Sequence, residues 1–416
     1  MSDVCISQPW MTAPATVAVL DALEAAGGPG CARFVGGCVR NALIGRPISD
    51  IDIATTLTPD QTSTALAAAG LKVVPTGTEH GTVTAVSDGK PFEVTTLRRD
   101  VTTDGRRAVV AFTTDWAEDA GRRDFTLNAL YAGRDGTVFD PTGEGIADAR
   151  AGRVAFVGGA DQRLAEDYLR SLRWFRFLAW YGQGEPDAEA LAACARAADK
   201  LSGLSAERIG AEILKLLGAE DPRAAVGLMA KSGVLGALLT DARDLPRFGG
   251  LVAIETDQLF ETDALLRLAA LLPAGEVAAT GAARALRLSN LQRDRLVAAL
   301  SPQPVLKSWM SPREIRRVVY GLGKDAFRDR AKLAWAAAAS TATTPQWRGM
   351  IALAEGWVRP TFPLSGADVA KAGVPQGPLV GQVLREVEDW WIDHDFLDDP
   401  MSAVEKLKAV AQGMAF

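Results

Sequence analysis

Histidine is nearly missing from this 416-residue chain: His80 and His394 are the only two. That excludes metal sites built from histidine clusters and leaves little room for a serine–histidine hydrolase. Cysteine is almost as scarce. Cys5, Cys31, Cys38 and Cys194 form no C-x-x-C pair, so neither a disulfide scaffold nor a cysteine zinc site is expected. Long apolar runs are absent too. The stretch 265–272 is interrupted by Arg267 and is too short to cross a bilayer. The first ten residues, MSDVCISQPW, hold no basic region followed by an apolar one, so the expectation is a cytoplasmic protein with no membrane partner. Catalysis, if present, has to rest on carboxylates, arginines and bound metal.

What remains is the composition of a folded protein, 48% hydrophobic and 23% charged, long enough for two to four domains without covalent staples. Its net charge of −6 speaks weakly against a nucleic-acid partner, but the charge is uneven. Residues 284–332 carry twelve Lys/Arg against four Asp/Glu, whereas residues 366–416 carry four against nine. A local basic surface can engage phosphates even in an acidic chain, although solvated helix faces give the same count.

The first 150 residues contain short β-rich runs at 32–35, 50–54, 82–86, 92–97, 107–112 and 138–139, with a helix signal at 58–69. Beyond about residue 161 the strand signals stop, and Ala/Leu/Arg-rich stretches with helical period continue nearly to the end. The fold class expected is α+β: a mixed-sheet head followed by an all-α remainder.

Three features of the head carry chemistry. Phe34-Val35-Gly36-Gly37-Cys38-Val39-Arg40 reads as strand, glycine turn and helix start. Such a turn lets backbone N–H groups approach a phosphate, with Arg40 beside them, but an ordinary turn has the same spelling. In Ser49-Asp50-Ile51-Asp52-Ile53, strand alternation puts Asp50 and Asp52 on one face. Paired carboxylates repel unless a cation neutralises them, and a hard divalent ion such as Mg²⁺ takes oxygen ligands; a solvated strand face is the alternative. Glu93, opposite in facing to Phe92 and Val94, is a third acid that a neighbouring strand could bring to the pair, or else an exposed strand residue.

These residues resemble the nucleotidyltransferase superfamily. Three further segments sharpen the likeness: Arg122-Arg123-Asp124-Phe125-Thr126-Leu127-Asn128, Glu166-Asp167-Tyr168-Leu169-Arg170-Ser171-Leu172-Arg173-Trp174-Phe175-Arg176, and Leu204-Ser205-Ala206-Glu207-Arg208-Ile209. Together the five ordered motifs resemble the class II tRNA nucleotidyltransferase and poly(A) polymerase family. The resemblance is loose past residue 225 until Gly366-Ala367-Asp368.

The family implies a polymerase β-like head over 1–155, a helical neck that reads the base over 156–225, an RNA-binding helical body over 226–345 and a tail over 346–416. It implies template-independent addition of CCA to tRNA from CTP and ATP with two Mg²⁺ ions. Poly(A) synthesis, CC-only or A-only addition, and a non-catalytic RNA-binding role are the alternatives. Asp50, Asp52 and Glu93 become catalytic carboxylates, with the first two holding metal. Gly36, Gly37, Arg40, Arg122, Arg123, Asp124 and Asn128 become nucleotide-binding, Asp124 near the ribose. On one expected helix from Arg163 to Tyr181, Asp167 and Arg170 would read the base, with Arg173 and Arg176 at the base or phosphates. An acceptor beside planar donors matches the amino group and ring nitrogen of cytosine and adenine, and mismatches uracil. Arg313, Arg316 and Arg317 in the basic stretch are candidate RNA contacts. Residues 99–121 resemble the family's flexible loop, and Thr78-Glu79-His80 resembles CCA-adding members, with His80 read as structural. One departure is Asn41, where many members carry Asp. Oligomeric state is not legible.

Overall fold

In the computed structural model, which describes residues 4–77, 81–104, 107–396 and 399–413, chain packing forms two compact units. One comprises the chain up to Ala242 with Ala285–Arg287; the other comprises Arg243–Arg284 and the chain from Leu288 onward. The expected head and neck thus fall in one unit, and residues 226–242 of the expected body pack with them.

The first unit starts with α1 (Pro14–Gly27), β1 (Ala32–Val35), α2 (Gly37–Leu43), β2 (Asp52–Thr55) and α3 (Pro59–Ala68). Thr58 starts α3 through a capping box with Gln61, and Pro59 takes the first helical position, where no N–H is needed. Then come β3 (Lys72–Gly77), β4 (Thr82–Ser87) and β5 (Lys90–Thr96). Asp88 and Gly89, both at positive φ, make the two-residue turn that joins β4 to β5 with Ser87 opposite Lys90. A second hairpin, β6 (Arg98–Asp104) and β7 (Arg107–Phe112), and α4 (Trp116–Gly121) occupy the segment expected as a flexible loop. Short strands β8 (Tyr131–Ala132) and β9 (Val138–Phe139) close the sheet.

The sheet order is β3-β4-β5-β2-β1-β8-β9. Among its described pairings only β2 with β5 is parallel. Alternation sorts the two faces. Phe34, Ile53, Val83, Ala85, Phe92 and Val94 are buried on one face, and α1 and α3 pack along this part of the sheet. The other face carries Asp52 and Glu93 at its open end, and Val35, Ala54 and Tyr131 in a second core under Trp116 of α4.

Helices follow: α5 (Gly145–Ala151), α6 (Ala160–Glu166), α7 (Leu169–Tyr181), α8 (Ala188–Arg196), α9 (Ala206–Leu217), α10 (Arg223–Lys231) and α11 (Val234–Leu238). The single expected helix over Arg163–Tyr181 is two. Asp167 has extended backbone (φ −156°, ψ 106°) and its carboxylate accepts the Leu169 N–H at 3.0 Å, so it ends one helix and starts the next.

The second unit is helical, from α12 (Leu245–Asp257) through α21 (Pro400–Gly413). Its interior includes an ion pair between Arg267 and Glu255, both almost fully buried, at 2.5 Å. Within it, α16 (Pro312–Leu322) and α20 (Pro378–Asp393) carry the side chains discussed below. No helix among the described residues is long and apolar enough to cross a membrane, and the four cysteines are free.

Candidate active site

The glycine turn is where backbone geometry dictates residue type. Gly36 sits at φ 70°, a region disfavoured for side-chain-bearing residues, and donates its N–H to the Leu130 carbonyl at 3.0 Å. A β-carbon on Gly36 would lie 3.7 Å from Arg123 Nη1, and one on Gly37 would lie 3.8 Å from Arg40 Nη2. Two guanidinium groups therefore border the turn.

Asp52 and Glu93 stand directly opposite each other across the parallel strands β2 and β5. Asp50 lies just before β2, exposed, and accepts a hydrogen bond from Ser49 Oγ at 2.9 Å. Burial pushes the Asp52 carboxyl up, and repulsion from Glu93 and Asp50 adds to it. Arg123 opposes only part of this, and the value reaches about 6. Among the described residues no three metal-binding side chains close on a single point. The donor set is nonetheless all oxygen and mutually repelling. Mg²⁺ uses one or two carboxylates plus substrate phosphates rather than an all-protein cage, so Asp50, Asp52 and Glu93 fit it.

Arg122 and Arg123 do not stand free. Both are held by Asp119, an almost fully buried acid of α4 that sequence reasoning missed. Arg122 Nη2 reaches Asp119 Oδ1 at 2.7 Å, Arg123 Nη2 reaches Oδ2 at 3.0 Å, and Tyr131 donates its hydroxyl at 2.6 Å. Burial alone would raise the Asp119 carboxyl; the two arginines and the tyrosine outweigh it and bring it down to about 2. The signal was present in the i,i+3 and i,i+4 spacing from Asp119 to the two arginines.

Asp124 accepts from Arg173 Nε at 2.8 Å, from Arg173 Nη2 at 2.5 Å and from Asn128 Nδ2 at 3.1 Å. Burial works to raise its carboxyl, but Arg173 and Asn128 prevail and hold it below the ordinary range. Arg176 donates to Glu212 of α9 at 2.5 Å, a second buried acid that was not foreseen. The Asp167 and Arg170 side chains are not bonded to each other; only the Arg170 backbone N–H reaches the Asp167 carbonyl, at 3.0 Å. Arg208 of α9 grips Asp167 at 2.5 Å, whereas Arg170 bonds Glu166 and the carbonyl oxygens of Arg163 and Arg122. Each is fixed by a different neighbour, because the helix break turns Asp167 away from the i,i+3 position.

Arg40 also differs from an arginine reaching out to phosphate. It is buried, and it donates to Asn41 Oδ1 (3.0 and 2.9 Å), to Asn128 Oδ1 and to the Tyr181 hydroxyl (2.6 Å). In the second unit, Arg316 and Arg317 are paired with Asp395 and Asp393, while Arg313 is exposed and has no carboxylate partner among the described residues. Thr78, Glu79 and His80 lie outside the described residues.

A mixed sheet with a glycine turn and facing carboxylates, followed by helices, defines a nucleotidyltransferase-type protein. Comparison narrows this. A family model described as the Poly A polymerase head domain matches residues 32–155, and one described as the probable RNA and SrmB-binding site of polymerase A matches 185–245. The chain is 35% identical over 368 residues to the mitochondrial CCA tRNA nucleotidyltransferase 1 of Mus musculus, covering 86% of this chain and 82% of that one. It is 30% identical over 372 residues to the CCA-adding enzyme of Latilactobacillus sakei, covering 89% and 91%. The solved Bacillus stearothermophilus CCA-adding enzyme in complex with CTP superimposes with a TM-score of 0.76 at 25% identity, over 96% of this chain and 100% of that one. The chain belongs to the class II CCA tRNA nucleotidyltransferase and poly(A) polymerase family.

Proposed function

We propose that this protein adds C-C-A to the 3′ end of tRNA, taking the nucleotides from CTP and ATP and releasing pyrophosphate. The observation that carries the reading is the carboxylate arrangement: Asp52 opposite Glu93, with Asp50 alongside, near a glycine turn bordered by two guanidinium groups. Relatives that match over most of the chain are CCA-adding enzymes.

In this reading the 3′-hydroxyl of the RNA forms a bond to the α-phosphorus as the bond to the β-phosphate oxygen breaks. Asp50 and Asp52 would hold Mg²⁺, with Glu93 completing the acidic face; bound there, the ion would lower the pKa of the attacking hydroxyl and compensate the charge of the departing pyrophosphate. The backbone N–H groups around Gly36 and Gly37 receive the triphosphate, with Arg122 and Arg123 held nearby by Asp119. Asp167 accepts from the exocyclic amino group of cytosine or adenine, and Arg170 donates to the adjacent ring nitrogen. Uracil presents a carbonyl to Asp167 and is rejected. Asp124, Asn128, Arg173 and Arg176 form the framework under the sugar and base. The second unit contributes RNA contacts, Arg313 among them. A cytoplasmic location belongs to the same proposal.

The test supplies tRNA lacking its 3′ CCA with labelled CTP and ATP, separately and together. Ordered addition of two C and one A supports the reading. Runs of A, addition stopping at CC, or no product would overturn it.

A further inference from the structure

We infer that Asn41 sets the strength of triphosphate and pyrophosphate binding by holding Arg40 under the glycine turn as a cation to which no carboxylate is bonded. The inference rests on the function proposed above and deepens it.

A guanidinium group only donates hydrogen bonds, and a backbone carbonyl only accepts them. Asn41 stands between one of each. Its oxygen takes two N–H groups of Arg40, and its amide donates to the Pro47 carbonyl at 2.6 Å. The remaining partners of Arg40 are the Asn128 side-chain oxygen and Tyr181, whose hydroxyl accepts at 2.6 Å and whose ring lies 4.0 Å from the guanidinium carbon. All are neutral. The carboxylate that acts on Arg40 from further away, Asp124, is itself held by Arg173, and the positive charge of Arg176 also acts on Arg40. Buried arginines are normally matched with an acid. Here no carboxylate is bonded to the guanidinium, and its charge faces the turn, with Nη2 3.8 Å from where a Gly37 β-carbon would be. The anion that would gain from it is the triphosphate or its product, pyrophosphate. Asn41 is thus a positioning residue: it orients Arg40 without cancelling it, and it pins the 44–49 loop that leads to Asp50.

Two variants separate charge from pinning. Asn41→Asp keeps an acceptor for Arg40, adds a negative charge and loses the donor to Pro47. Asn41→Ala loses acceptor and donor and adds no charge. The expected result is that Asn41→Asp raises KM for CTP and ATP by one common factor, roughly three- to tenfold, and raises the Ki of pyrophosphate alike. The shift shrinks at high ionic strength, and kcat moves less than KM. Asn41→Ala shifts both binding constants less than Asn41→Asp does. Equal shifts in the two variants, no shift in either, or CTP and ATP diverging in Asn41→Asp would overturn the inference. If Asn41→Asp does not fold, Arg40→Gln removes the same charge from the other partner and has to weaken pyrophosphate inhibition; inhibition at the wild-type level would defeat the inference. A wild-type protein that incorporates neither CTP nor ATP into tRNA would instead defeat the functional reading beneath it.

Discussion

Asp119 does for the site what its own chemistry does not advertise. It touches no substrate in the proposed mechanism, yet it fixes Arg122, Arg123 and the Tyr131 hydroxyl at once. Replacing it by Asn leaves two partly buried arginines without their counter-charge, which costs about 3 kcal/mol at pH 7. The pH dependence has a definite sign. The carboxyl falls from an ordinary 3.8 to about 2 in the folded chain, so the stability tied to its ionisation is complete above about pH 4. That stability drains away as the pH drops from there through about 2. Urea midpoints of wild type and Asp119→Asn should converge across that window, and curves that stay parallel would show that Asp119 is not the source. Asp52 has the opposite sensitivity, being raised to about 6 by burial and by its acidic neighbours. Asp52→Ala should abolish nucleotide transfer while leaving tRNA affinity nearly intact. Retention of more than about a tenth of wild-type turnover at saturating Mg²⁺ would remove it from the metal site, because a lost ligand raises the barrier by several kcal/mol.

At the scale of elements, the break between α6 and α7 decides which neighbour orients Asp167, the residue proposed to read the base. Because Asp167 sits outside both helices, its carboxylate is aimed by Arg208 of α9 and not by Arg170. Arg208→Ala should leave Asp167 mobile and narrow the preference for CTP over UTP by about 1 kcal/mol, roughly fivefold in single-turnover incorporation. An unchanged CTP-to-UTP ratio would mean that Leu169 alone orients Asp167. The break also marks a limit of sequence reading. The apolar period continues through Arg163–Tyr181, so nothing in the pattern separates one helix from two; extended backbone at Asp167 is a single-residue event. Local spacing served well elsewhere. The glycine turn and the Asp-x-Asp run each lie within a few residues, and the strand expected over 50–54 is found as β2 at Asp52–Thr55. Pairings across the fold were out of reach: Glu212 with Arg176 joins residues 36 apart on separate helices. Of the second hairpin, the β-rich run expected at 107–112 is found as β7, whereas β6 lies in a stretch rich in Thr, Asp and Arg whose composition reads as loop.

Over the whole molecule, the basic count of residues 284–332 overstates the charge offered to an RNA. Arg295, Arg316, Arg317 and Arg328 are in ion pairs, Arg330 is turned to the carbonyls of Gln303 and Pro304, and Lys332 lies buried near Phe260. Arg316→Asp should lower the melting temperature by about 3 °C, and adding Asp395→Arg should restore it. Arg313→Glu should weaken tRNA binding and flatten its dependence on salt without a change in melting. The same salt slope in Arg313→Glu and wild type would place the phosphate contacts elsewhere.

The parallel pairing of β2 with β5 has a consequence in time. Antiparallel neighbours β3, β4 and β5 can zip up locally, and so can β1 with β2, but a parallel partner is reached only by a crossover. Asp52 and Glu93 are 41 residues apart, one on each side of that crossover. Asp50 and Asp52 come with the first local piece and Glu93 with the second, so the three acids meet only at the seam between them. During synthesis the acidic face therefore has to wait until β5 has emerged and docked beside β2. A chain caught with the seam open would hold its turns and helices yet leave Asp52 and Glu93 apart, so the full acidic face on which the proposed chemistry rests arrives only with the docked seam.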